Sequence, residues 1–180
     1  RGFASVEEMN TYMLEKWNAK VQPEDEVVIL GDISLGKAEE TKELLNRLHG
    51  QLYLIIGNHD RFHWNTAYAT DRFVWMKHYA ELEDNHRRVV LSHYPMMCYH
   101  GQYYRNEKGE ANTYMLYGHV HDTMDQRLIE QFQDITRHTV RIDRNGCEVP
   151  VPCQMINCFC MYSDYEPLTL DEWIACEQRR

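Results

Sequence analysis

Residues 52–60 read Leu52-Tyr-Leu-Ile-Ile-Gly-Asn-His-Asp60. Five consecutive apolar or aromatic residues closed by a glycine form a short buried strand. An amide, an imidazole and a carboxylate follow at once. The arrangement recurs along the chain. Glu26-Val-Val-Ile-Leu30 runs into Gly31-Asp32, Arg88-Val-Val-Leu91 into Ser92-His93-Tyr94-Pro95, and Tyr114-Met-Leu-Tyr117 into Gly118-His119-Val120-His121. Loops at the carboxyl ends of strands are where α/β folds build their sites. A side chain just past a strand is aimed by a rigid element, which holds a constellation in geometry. Gly-Asp alone is ordinary as a turn and His-Tyr-Pro as a surface loop, Gly-His-x-His reads equally as metal site or chance, and Asn-His-Asp leans to function; the four together, all after apolar strands, point to one site.

Helices fill the intervals. Ser5-Val-Glu-Glu8 has capping-box spacing, and Val6, Met9, Met13 and Trp17 repeat at helical spacing up to Lys20. Lys37 to His49 reads as a second helix, with Leu44, Leu45 and Leu48 inward and Gly50 as its stop. A helical or irregular stretch follows Asp60 through Thr70, and Tyr99 to Asn112 is polar and glycine-bearing, hence a loop. His138 to Asp143 alternates, Asn145-Gly146 offers a hairpin turn, and Met155 to Met161 is the expected returning strand. Thr169-Leu-Asp-Glu172 opens a terminal helix. Without repeat, low-complexity tract or linker, residues 1–180 read as a single domain.

The bulk numbers narrow the function classes. The chain has 180 residues, 43% hydrophobic and 26% charged, the mix of a globular protein with one well-buried core. No apolar run approaches the roughly 20 residues of a membrane span. The net charge of −9 argues against extended nucleic acid as a partner, because affinity for that backbone comes from Lys and Arg. The six cysteines form no Cys-x-x-Cys pair. They read as free thiols in a reducing compartment, which places the protein in the cytoplasm.

The clustered donors are carboxylate, amide carbonyl and imidazole, without thiolate. That set suits Mn, Fe, Co, Ni or Zn and not a structural zinc site, which recruits Cys. A carboxylate can bridge two such ions, and a pair about 3.5–4 Å apart clamps an in-line displacement at phosphorus.

The ordered set Gly31-Asp32, Gly57-Asn58-His59-Asp60, His93 and Gly118-His119-Val120-His121 resembles the calcineurin-like metallophosphoesterase superfamily. The signature of that family runs Asp-x-His, Gly-Asp, Gly-Asn-His-Asp/Glu, a lone His and Gly-His-x-His. The opening residues 1–10, Trp17-Asn18 and the Pro167–Glu172 tail resemble its small, single-domain bacterial and phage branch. The resemblance implies an α/β (α+β) fold, a four-layer sandwich of two mixed β-sheets flanked by helices. It also implies a centre of two divalent ions. Asp32 would bridge both, Asn58, His93 and His119 would complete one site, and His121 would belong to the other. The reaction implied is attack of a metal-bridging hydroxide on a phosphomonoester or phosphodiester, the substrate being a small phosphoester or a nucleotide. His59 would assist the leaving group and Asp60 would hold His59 by its second ring nitrogen; Arg61, next in the chain, reads equally as a surface residue or as a contact to a phosphate oxygen.

One motif is missing. Residues 1–31 contain no His, so no Asp-x-His precedes Asp32. The expectation is a chain that lacks its first strand, about 15–25 residues for a strand and a loop. The rival is a diverged member serving as a protein-binding scaffold. Of the remaining histidines, His49, His63, His78, His86 and His138 show no ligating pattern, and His100 lies where it would line a substrate cleft. Tyr94, Tyr99, Tyr103 and Tyr104 form an aromatic cluster suited to stacking on a ring, and Cys158 and Cys160 alternate as core residues of a strand.

Overall fold

The structure is a computed structural model that describes residues 2–61 and 70–180. His63 and most of the stretch expected after Asp60 lie outside the described residues. The chain forms two compact units. One runs to His78 and resumes at Cys160; the other is Tyr79–Phe159.

The first unit holds α1 (Val6–Lys20), β1 (Glu26–Ile29), α2 (Ala38–Arg47), β2 (Gln51–Ile55), β3 (Phe73–Lys77) and α4 (Leu170–Gln178). Its sheet is parallel, in the order β1-β2-β3, with Val27 beside Leu52 and Leu52 beside Phe73. Parallel neighbours need crossovers, and α2 is the crossover from β1 to β2. Leu14, Leu45, Leu48, Leu52, Leu54, Ile56 and Phe73 form the core. Polar stitching fixes the helix ends. Ser5 Oγ accepts from Glu8 N at the start of α1. Arg72 donates from Nη2 to the carbonyls of Leu48 and Gly50 (2.7 and 2.9 Å) and from Nε to that of Leu45. Arg72 thereby ties the end of α2 to the turn that leads into β2. The Thr169–Glu172 capping box opens α4, which Glu172 ties to Lys20 of α1 at 2.8 Å.

The second unit holds β4 (Tyr79–Asp84), β5 (Arg87–Ser92), β6 (Thr113–Tyr117), α3 (Met124–His138), β7 (Val140–Ile142), β8 (Glu148–Pro150) and β9 (Met155–Asn157). Its main sheet runs β4-β5-β6-β9 and is mixed: β4 and β5 are antiparallel, and the other neighbours are parallel. Asn85 and His86, at φ 48° and 62°, turn the β4–β5 hairpin in the left-handed region, as a two-residue turn matched to strand twist requires. Val90, Tyr99, Met115, Tyr117, Val120, Ile129, Cys153 and Met155 form its core.

Four elements escape the sequence reading: β3, β4, β8 and the whole of α3. One pairing differs from expectation. The partner of β7 is β8, with Val140 beside Pro150, whereas Met155–Asn157 joins the main sheet beside β6. All three residues of β9 are buried, which a two-stranded hairpin in solvent cannot provide. Pro150 is tolerated because β8 is an edge strand. Cys158 lies beyond β9, Cys160 begins a 3-10 turn, and both are half-buried rather than alternating core residues.

Candidate metal centre

Gly31 and Asp32 follow β1 with φ values of 91° and 55°. Asp32 therefore stands in the left-handed region, which non-glycine residues avoid at a cost of about 1–2 kcal/mol. The cause of its persistence is hydrogen bonding to the loop after β2. The carboxylate of Asp60, 1% exposed, accepts from the backbone N–H groups of Gly57 (2.8 Å), Asp32 (2.9 Å) and Ile33 (3.0 Å). In return, Asp32 Oδ1 accepts from His59 N at 2.8 Å. The two loops hold each other. The sequence reading has Asp60 orient the His59 ring; in the structure both Asp60 oxygens accept from backbone amides. Asn58, His59 and Arg61 are exposed at the tip.

In the second unit, His93 comes directly after β5 and is 2% exposed. Its carbonyl accepts from Gly118 N at 3.1 Å, which joins the loops after β5 and β6. The ring centroids of His93 and His119 lie 5.1 Å apart, and Tyr94 packs edge-on to both. His119 and His121 have φ values of 62° and 48°, while Val120 between them is buried in the core. The alternation explains the motif: an apolar anchor goes in, and two imidazoles come out. Three of the expected ligands, Asp32, His119 and His121, thus sit in strained left-handed backbone, the kind of strain that collects at functional sites.

Support for His121 is a set of contacts that sequence reasoning missed. Asn157 Nδ2 donates to the His121 carbonyl at 2.8 Å and to Gln126 Oε1 at 2.9 Å. Tyr117 Oη donates to the same Gln126 oxygen, and the Phe159 ring stacks on His121 at 4.8 Å. Asn157 ends an apolar strand, as the clustered donors do; that was the available signal.

Other expected site residues separate. Tyr99 is a core residue whose hydroxyl accepts from Gln154 N at 2.7 Å, and burial pushes its phenol well above the usual range. Tyr103 faces the Arg141 guanidinium, Tyr104 faces that of Arg88, and only Tyr94 of the four touches His93 and His119. His100 pairs with Glu81 at 2.9 Å.

The donors fit a divalent metal by chemistry. A buried imidazole beside a second imidazole, with carboxylate and amide oxygens on pinned loops, is a set for borderline cations.

Residues 9–137 match the Calcineurin-like phosphoesterase superfamily domain. The chain belongs to that superfamily. It is 45% identical over 64 residues to an uncharacterized protein of Methanocaldococcus jannaschii, covering 34% of this chain and 36% of that one. It is 34% identical over 129 residues to the Gene 66 protein of Mycobacterium phage D29, covering 61% and 64%. The chain thus spans less than two thirds of either relative, and the phage protein fits the small phage and bacterial branch. A crystal structure of a protein of unknown function from Aquifex aeolicus superposes with a TM-score of 0.62 at 20% identity, covering 95% of this chain and 86% of that one. It shares the fold. Among the described residues, no helix is long and apolar enough to cross a membrane.

Proposed function

We propose that this calcineurin-like phosphoesterase hydrolyses a small phosphomonoester or phosphodiester, or a nucleotide, with two divalent ions at one centre. Asp32 would be shared between the ions. Asn58, His93 and His119 would complete one site, and His121 would serve the other. The observation that carries the reading is the backbone: Asp32, His119 and His121 all stand in left-handed conformations that their loops enforce. When bound, the ions supply an acidified attacking water and neutralise charge on the phosphoryl group.

The chain's own residues do the rest. Asp60 pins the loops that carry Asp32, Asn58 and His59, so these groups meet a substrate already positioned. His59, exposed and held at its backbone by Asp32, has the reach to give a proton to the departing oxygen. Tyr94 presents its ring beside His93 and His119 and lines the approach. Of the donors assigned here, Asp32 and His121 would serve the second ion, and two donors hold a divalent ion poorly.

The deciding experiment is a panel of phosphomonoesters, cyclic and linear phosphodiesters and nucleotides, assayed with Mn, Ni, Co and Zn while bound metal is counted. Metal-dependent turnover, with close to one tightly held ion per 180-residue chain, is expected. Metal retained with no turnover on any substrate would favour the scaffold reading instead.

A further inference from the structure

A 15-residue helix that packs on one side of a sheet buries one face and turns a polar face outward. α3 carries apolar side chains on its outward face as well. Its inner face places Gln126, Ile129 and Gln133 in the interior. Its outer face carries Met124, Leu128 and Ile135, which are 65%, 51% and 67% exposed. These positions, with Gln131 between them and His138 after, repeat in steps of four and three residues. That is the seam of a helix built to pack on another helix. Just past the helix end, Val140 and Ile142, on one face of β7, are also exposed, at 54% and 61%. Among the described residues, five of the fifteen exposed large apolar side chains thus fall between positions 124 and 142. So dense a patch marks an interface.

The charges beside the seam name the occupant. Arg127 and Asp134 flank the stripe on the same side, one turn before and one turn after its centre. Both are exposed, and Asp134 pairs with His138 of its own helix at 3.3 Å. A helix with a cation before its centre and an anion after it is complementary to its own antiparallel copy. A two-fold axis at Gln131 would set Leu128 against the partner's Ile135, Arg127 against the partner's Asp134, and Gln131 against the partner's Gln131. A polar residue at the centre of such a seam specifies register, and an isologous contact closes at two copies.

We propose that the outer face of α3 is a homodimer interface, in which two copies of this chain pack α3 antiparallel about a two-fold axis at Gln131. The interface is independent of the phosphoesterase site and does not rest on the functional reading.

Sedimentation equilibrium under reducing conditions tests it; the reductant matters because Cys98 and Cys147 are exposed free thiols. The wild-type chain should be a dimer, and Leu128→Asp or Ile135→Asp should leave a monomer with an unchanged circular dichroism spectrum. Arg127→Asp and Asp134→Arg should each weaken the dimer at least about tenfold, by placing like charges in contact. The combined Arg127→Asp/Asp134→Arg chain should recover to within about threefold of wild type, because the pair is restored with its signs exchanged. The charge pair lies at exposed positions, so it carries the test even where an aspartate in the stripe unfolds the chain. A wild-type monomer at about 0.1 mM, a concentration that populates even weak complexes, would overturn the proposal, including where the face then captures a different protein. So would a dimer indifferent to the charge reversals, or reversals that do not rescue one another.

Discussion

Asp60 shows how one buried carboxylate can organise two loops. Its oxygens accept three backbone N–H groups while being 1% exposed. Asp60→Asn should destabilise the fold by about 1–3 kcal/mol, because an amide turns one acceptor into a donor facing N–H groups. Urea unfolding measures this, and an unchanged midpoint would remove Asp60 from the role of staple. The neighbouring residues divide by chemistry. Asp32→Ala should abolish both metal retention and turnover, since it removes the ligand proposed to be shared. His59→Gln should keep the metal and lower turnover by about 10²–10⁴-fold, the usual worth of a general acid. Metal analysis beside kinetics separates the two; equal metal loss in both variants would deny His59 a role in proton transfer.

At the scale of elements, the turn between α2 and β2 depends on Gly50. Its φ is 91°, and a Cβ there would lie 2.9 Å from Val21 Cγ1 and 3.0 Å from the Asp25 carbonyl. Gly50→Ala should cost about 1–3 kcal/mol through strain plus contact. Gly109, at φ 80° with no atom within 4 Å of where a Cβ would stand, isolates the strain alone. Gly109→Ala should therefore shift the melting temperature less, and an equal shift would show that crowding at Gly50 contributes nothing. The elements that the sequence hides also have causes. β4 escapes notice because its alternation, Tyr79-Ala-Glu-Leu-Glu-Asp84, carries acids and one buried Ala80. α3 escapes because its buried face is built partly from Gln126 and Gln133, which read as surface.

For the whole molecule, stability should fall off on both sides of neutral pH. Lys20 holds Glu172 below the usual carboxylate range, and Lys16 does the same for Asp164. A depressed folded pKa contributes stability above the unfolded value, about 4, and that contribution is lost as pH falls through the folded value. Both pairs join α1 to the segment from Cys160 to Arg180, so acid should loosen that connection early. On the alkaline side, burial pushes the Cys153 thiol up to about 11. A raised folded pKa contributes fully below the unfolded value, about 8.5, and is lost as pH rises toward the folded one. Unfolding midpoints across pH should therefore decline from about pH 9 upward, and Cys153→Ala should flatten that decline relative to its own neutral-pH stability. A slope unchanged by the substitution would place the alkaline loss elsewhere.

The sequence alone determined the strand-and-donor order: apolar β1, β2, β5 and β6, each followed by residues of metal-ligating type, with helices over α1, α2 and α4. Those features are local. An apolar run, a capping box and a glycine stop act through neighbours in the chain, and the family motif is itself a chain order. Tertiary structure alone decided the pairing of β9 with β6, because burial of all three of its residues depends on what lies beside them. It likewise decided that Asp60 staples backbone, that Asn157 and Phe159 support His121, and that α3 exists with polar residues inside. Each depends on contacts between positions far apart in sequence, where a side chain's type says what it can bond and only the fold says what comes within reach.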